Sequence, residues 1–239
     1  MKILVLGDIH GRLCWLDIIN KEQPDLTIFL GDYVSTHDNI SSEQQCMNLE
    51  DILNHKADNP DKVILLRGNH DLQHLGYSWA ECSGRFIEVE RWMSSETIKK
   101  RFLDLTQWVY IYDNIIFSHA GISETWWSNV KNLYSEVIDL EDINNIDPCE
   151  IFAFTPNRYS DYCGDSITQP CTWIRPIALI KDYIMNYNQV VGHTRVEIKD
   201  LHDLDNEIPH IILCDRLPDE YLVIEDNKFN IKRWLEKNG

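Results

Sequence analysis

The sequence predicts an α/β fold with a mixed sheet, and three observations carry that prediction. Short apolar runs of strand length recur along the chain, and five of them close on a small residue beside a side chain that can bind metal. Between the first three runs lie stretches with helical spacing, so those runs should be parallel strands joined by crossovers. Further on, Tyr110-Ile111-Tyr112 and Ile115-Ile116-Phe117 flank Asp113-Asn114, which reads as a hairpin and adds antiparallel pairing.

Taken in order, Ile3-Leu4-Val5-Leu6 runs into Gly7-Asp8-Ile9-His10. Leu13, Leu16 and Ile19 then mark the expected inward face of a helix that Pro24 ends. Ile28-Phe29-Leu30 leads into Gly31-Asp32, where the glycine marks a sharp turn and the acid sits at the strand's carboxyl end, the usual ligand position in open α/β sheets. Ser41-Ser42-Glu43-Gln44 opens a second helix as a capping box, with Cys46, Leu49, Ile52 and Leu53 as its stripe until Asn59-Pro60-Asp61. Val63-Ile64-Leu65-Leu66 ends in Arg67-Gly68-Asn69-His70-Asp71. Residues 72–92 are polar and aromatic without clear period, after which Ser95 caps a helix faced by Ile98, Phe102 and Leu105. The hairpin strand closes on Ser118-His119-Ala120-Gly121. Ile177, Ile180 and Ile184 mark a last crossover helix before Val190-Val191-Gly192-His193-Thr194, and strand candidates follow at 211–213 and 221–224. One domain is expected over residues 1–239, with excursions across the surface at about 72–109 and 123–172, the latter a lid or substrate wall.

Bulk properties narrow the function. A net charge of −17 disfavours nucleic acid and other polyanionic partners. No apolar run approaches the length of a membrane span and no signal sequence opens the chain, so a cytoplasmic location is expected. The seven cysteines include no Cys-x-x-Cys pair, which suits neither a disulfide framework nor a zinc knuckle.

The chemistry lies at the strand ends. Mixed carboxylate, imidazole and amide donors suit borderline divalent metals such as Mn, Fe, Zn or Co. The expected set is Asp8, His10 and Asp32 for one ion, and Asp32, Asn69, His119 and His193 for the other. Asp32 is thus shared, and two such ions hold a hydroxide between them and clamp a substrate for in-line displacement. Each residue alone has a plainer reading: a turn or cap for Asp8, Asp32 or Asn69, a core imidazole for His119. Five strand ends converging is harder to explain that way. His70, next to Asn69, is the candidate general acid for the leaving group, or else a residue that orients a ligand. Arg175, just before Pro176, is a candidate for phosphate capture alongside Asn69, or a surface residue flanking a helix. Arg67 reads as a brace near its turn.

Gly7-Asp8-Ile9-His10-Gly11, Gly31-Asp32-Tyr33-Val34, Leu66-Arg67-Gly68-Asn69-His70-Asp71, His119-Ala120-Gly121 and Gly192-His193-Thr194 resemble, in order, the motifs of the calcineurin-like metallophosphoesterases. The nearest branch resembles the serine/threonine phosphoprotein phosphatases and bacterial diadenosine-tetraphosphatases, whose arginine element is similar to Trp173-Ile174-Arg175-Pro176. The resemblance implies a four-layer α/β/β/α sandwich, two metal ions and hydrolysis of phosphate esters or anhydrides without a phosphoenzyme. It also supports His70 as leaving-group acid and Arg175 as a phosphate ligand. Where the branch carries Asp-Arg after Gly-Asp-Tyr-Val, this chain has Ser35-Thr36, which removes the acid that would orient His70 and a second phosphate-binding cation. His37 and Asp38 are candidates to compensate. Expected substrates are a phosphorylated small molecule, a nucleotide or a phosphoprotein, and a catalytically silent metal-binding scaffold is the alternative from another class.

Overall fold

The computed structural model describes residues 1–77, 82–148, 163–201 and 209–234. Two five-stranded mixed sheets lie face to face with helices outside each, the four-layer arrangement that the resemblance implied. In the first sheet β1 (Lys2–Leu6), β2 (Leu26–Phe29) and β3 (Val63–Leu65) run parallel, as the two crossovers require. The second contains β4 (Val109–Tyr112), β5 (Ile115–Ser118), β6 (Asn188–Arg195), β7 (Lys199–Asp200) and β8 (Ile211–Asp215). Its order is β4-β5-β6-β8-β7, with β5, β6 and β8 parallel. The last two strands, β9 (Glu220–Glu225) and β10 (Lys228–Arg233), return to the first sheet, where β9 pairs antiparallel with β1.

Alternation along the strands divides the core. Val5, Ile28, Leu30 and Ile64 of the first sheet meet Phe117, Val190 and Ile212 of the second between the sheets. Leu4, Leu6, Phe29 and Leu65 point the other way, under α1 (Cys14–Glu22), α2 (Ser42–Asp58), α4 (Ile87–Met93) and α5 (Glu96–Leu105). Ser41 caps α2 as expected, its hydroxyl accepting the Gln44 N–H at 3.1 Å. The short α3 (Asn69–His74) starts at the end of the third strand's motif.

Three expectations need correction. In α1 the buried residues are Trp15 and Ile18, whereas Leu13 and Leu16 face outward; the indole of Trp15 is anchored by donating to Asn48 Oδ1 at 2.8 Å, which fixes the helix's rotation. The last crossover helix, α7 (Pro176–Lys181), buries Ala178 and Leu179, leaves Ile177 exposed and ends before Ile184. The stretch from 123 onward is more than a surface excursion. Its first part is α6 (Glu124–Leu133), whose Trp126, Trp127 and Val130 pack with Leu72, Trp108 and Ile116 to cover the outer face of the second sheet. Residues 149–162 of that stretch lie outside the described residues. No helix among the described residues is long and apolar enough to cross a membrane.

Candidate metal centre

The carboxyl ends of β1, β2, β3 and β5 and the irregular stretch of β6 meet at one place and carry the side chains singled out by sequence. The oxygens of Asp8 and Asp32 and a ring nitrogen of His119 lie within 4.8 Å of one another. Asn69 Oδ1 is 2.9 Å from His119 Nε2, which is itself 3.5 Å from Asp32 Oδ2. His10 Nε2 is 3.9 Å from Asp8 Oδ2, and the ring of His193 lies 5.1 Å from that of His119. All six expected ligands are therefore brought together.

Three of them, His10, Asp32 and His193, have φ values of 46°, 51° and 62°, in the left-handed region that few side chains tolerate. Gly31, at φ 108°, lets the chain turn so tightly that a Cβ there would lie 2.6 Å from the Gly68 nitrogen. Asp71 ties the two loops together: Oδ2 accepts the N–H groups of Asp32 and Gly68 at 2.9 and 3.0 Å, and Oδ1 accepts that of Tyr33 at 2.8 Å.

The donor set fits divalent cations. Each candidate imidazole has one nitrogen on a backbone carbonyl: His10 Nδ1 on Val34 at 3.0 Å, His119 Nδ1 on Leu30 at 2.8 Å, His193 Nε2 on Trp173 at 3.1 Å. A carbonyl only accepts, so those nitrogens carry the hydrogen and the others keep their lone pairs, the tautomers that metal ligation needs. His119 Nε2, Asn69 Oδ1 and Asp32 Oδ2 then face one another as three acceptors, an arrangement a cation satisfies. Burial holds the pKa of His10 down and that of His193 well down, with Arg175 and His119 adding to the latter, so both rings favour the neutral form. Burial and the neighbouring charges of Asp215 and Asp32 push Asp8 well up, and burial with Asp32 does the same to Asp71. Burial opposes the ionised form of Asp32 too, but His119, His70 and His10 outweigh it and its pKa falls.

His70 lies beside this cluster, its Nε2 3.9 Å from Asp32 Oδ2 and its backbone N–H donating to Asp32 Oδ1 at 2.9 Å. Its Nδ1 is buried and has no hydrogen-bond partner among the described residues. Neither suggested replacement for the missing acid reaches it. Asp38 is taken by Arg12, whose Nε and Nη2 donate to Oδ2 at 3.0 and 2.7 Å, and His37 Nε2 shares a hydrogen bond with Ser83 Oγ at 3.1 Å. Arg175 is the residue before α7, and its Nη1 donates to the His193 carbonyl at 2.9 Å and to Thr194 Oγ1 at 3.1 Å, which sets its guanidinium at the rim. Arg67 braces backbone instead, donating to the carbonyls of Leu103 and Thr106 at 2.8 and 2.6 Å over the ring of Trp108.

Sequence reasoning missed three residues here and the role of a fourth. The pocket of about 330 Å³ over the centre is lined also by Arg12, Arg195 and Asp215, and Asp71 works beneath it. Asp215 was within reach: Ile211-Ile212-Leu213-Cys214-Asp215 is another apolar run closing on an acid, only without a glycine. Nothing local marks Arg12 or Arg195.

Comparison with known proteins agrees with this arrangement. Serine/threonine-protein phosphatase ppe1 of Schizosaccharomyces pombe is 31% identical over 128 residues, a match covering 51% of this chain and only 39% of that protein. Among solved structures, the cold-active protein-tyrosine phosphatase of a Shewanella species superposes with a TM-score of 0.60 at 17% identity, over 97% of this chain and 77% of the other. A Saccharomyces cerevisiae protein serine/threonine phosphatase with similarity to human phosphatase PP5 gives 0.58 at 16% identity, over 99% and 81%. At such identities the likeness is one of fold. The family model for the calcineurin-like phosphoesterases matches residues 1–197, a span that includes every candidate ligand, and the chain belongs to that family.

Proposed function

We propose that this protein is a two-metal phosphoesterase that hydrolyses phosphate esters or anhydrides. The observation that carries this reading is the convergence of lone pairs from five strand ends, each imidazole fixed in its ligating tautomer by a main-chain carbonyl. Asp8, His10 and Asp32 would hold one ion and Asp32, Asn69, His119 and His193 the other, with Mn, Fe or Zn suited to the donor types. When bound, the cations supply positive charge that draws in phosphoryl oxygens and acidifies water.

The chain's own residues do the rest. Arg175, tethered to His193 and Thr194, presents a planar fork at the rim for phosphoryl oxygens. His70 lines the same pocket beside Asp32, its ring 5.3 Å from that of His10, where it can give a proton to the leaving oxygen. Burial lowers its pKa, and Asp32 works against that fall. The pocket accepts a phosphoryl group and the start of its leaving group, so phosphorylated small molecules, nucleotides and phosphoproteins are all compatible substrates. The phosphatase names of the related proteins support the reaction class.

The unpartnered Nδ1 of His70 favours a second reading, a metal-binding scaffold without turnover. Hydrolysis of p-nitrophenyl phosphate in added Mn, Co, Ni or Zn, with and without chelator, separates the two. Chelator-sensitive turnover lost in Asp32→Asn is expected; no turnover with any of these metals rejects the enzyme reading.

A further inference from the structure

Arg195 is shared by the linings of the metal pocket and of a second, larger groove. Strand β6 is irregular between Val191 and Arg195, and the left-handed backbone of His193 lies inside that irregularity. Such bulges re-aim the side chains that follow, often beside active sites. Here Arg195 is exposed and lines both the metal pocket and the adjoining groove, of about 1160 Å³. Arg12 also lines both, but Asp38 holds it in a two-pronged pair that balances its charge. Arg175 is tethered on the His193 side. No hydrogen bond or ion pair engages the Arg195 guanidinium among the described residues; Asp215 stands opposite it in the strand register and feels its charge.

The groove continues this positive edge. Its lining includes three cations, Arg12, Lys21 and Arg195, against two acids, Asp17 and Asp38, in a chain of net charge −17. Polar and basic groups therefore collect where the far side of a substrate would leave the metal pocket. The metal side draws the phosphoryl end once loaded, so a cation beyond it gives a second point of attraction for a substrate charged at both ends.

Resting on the phosphoesterase reading, we propose that Arg195 is a specificity-determining residue that recognises a negative charge on the leaving-group side of a small phosphorylated substrate. A charge-assisted hydrogen bond from a guanidinium to a carboxylate or phosphate supplies that preference, and a neutral leaving group forgoes it. Arg195 thus selects doubly anionic substrates over simple esters, while Arg175 addresses the reacting phosphoryl group.

The test uses binding, so that it does not depend on turnover. Phenylphosphonate and its 3- and 4-carboxy derivatives are titrated calorimetrically into the Mn-loaded full chain. The wild type is expected to bind one of the carboxylated compounds about tenfold more tightly than phenylphosphonate, as one charge-assisted contact provides. Arg195→Gln should reduce that preference to under about twofold while leaving phenylphosphonate within about twofold of wild type, and Arg195→Lys should recover part of it. A thermal melt of each variant confirms an unchanged fold. An undiminished preference in Arg195→Gln, or equal weakening of all three ligands, overturns the proposal. Phenylphosphonate binding without any carboxylate preference in the wild type refutes this proposal alone, whereas failure of all three to bind removes the phosphoesterase reading as well.

Discussion

Gly192→Ala is a one-methyl test of the metal centre. A Cβ at position 192 would lie 2.2 Å from Asp8 Oδ1, with the next neighbour, Leu30 Cβ, at 3.4 Å. Real Cβ contacts do not fall below 3.0 Å, so the carboxylate must retreat by at least 0.8 Å. That oxygen also accepts the backbone N–H of His193 at 3.0 Å, which couples two expected ligands to the same displacement. Metal sites tolerate ligand errors of about 0.2 Å, several times less than this shift. Disturbing a ligand's support costs about 10–100-fold in affinity, equivalent to about 1.4–2.7 kcal/mol. Overpacking adds a stability cost of about 1–3 kcal/mol, or about 2–4 °C in Tm per kcal/mol for a chain of this size. Mn titration calorimetry on the variant, with a thermal melt in chelator as the folding control, reads both effects. Wild-type Mn affinity in a folded Gly192→Ala protein would refute the placement of Asp8 against the centre.

Three further outcomes follow from the packing. Asp8→Asn should raise Tm in chelator by at least about 1 kcal/mol equivalent while abolishing the rise in Tm on adding Mn, because a buried carboxylate is relieved of its like-charged neighbours. The sign is set by Asp8's raised pKa: a group more basic in the fold than in the unfolded chain costs stability at neutral pH, so the wild-type metal-free protein should gain stability as pH falls and Asp8→Asn should gain less. Asn144→Ala should cost about 2–3 kcal/mol in urea melts, since Asn144 Oδ1 accepts the N–H groups of Trp108 and Val109 at 2.8 and 3.0 Å and Nδ2 donates to the Val109 carbonyl at 3.0 Å; an effect under about 0.5 kcal/mol would mean that residues 140–145 do not pin the edge of the second sheet. Glu22 accepts from Tyr221 at 2.7 Å and pairs with Lys2 at 2.7 Å; burial works against its ionised form, but these contacts prevail and lower its pKa. Its contribution is therefore present above the ordinary value of 4.5 and lost as pH falls through the lower folded value. Glu22→Gln should lower Tm at pH 7, with the gap to wild type closing in acid; a gap that persists there contradicts the assignment.

What could be read from the sequence was local. An apolar run, a glycine and a side chain able to ligate are consecutive, so the six candidate ligands and the parallel crossovers are visible residue by residue. The rotation of α1 was not, because Leu13, Leu16 and Ile19 make as good a stripe as Trp15 and Ile18, and the choice is settled by Asn48 on another helix. The six residues of α7 span fewer than two turns, too short a window to fix which face is buried. Nor does any local pattern say that β9 crosses back to pair with β1 rather than extending the second sheet. At the site, Asp71 stands in the motif Leu66-Arg67-Gly68-Asn69-His70-Asp71, yet its work on the backbone of residues 32 and 33 depends on loops 38–39 residues apart coming together. The Arg12–Asp38 pair is of the same kind, and it takes up the acid that proximity in sequence offers to His70.

The left-handed backbone at residues 10, 32 and 193 bears on how such a centre can change over time. Besides glycine, the amino acids that accept this conformation most readily are asparagine, aspartate and histidine, and these three are also donors to borderline metals. Chain geometry and coordination chemistry therefore admit nearly the same short vocabulary at each of these sites. Exchanges within it, such as His193→Asn or Asp32→Asn, alter charge and donor softness without asking the main chain to rearrange, so metal preference can drift on an unchanged scaffold. A valine or isoleucine at any of the three would meet both objections at once.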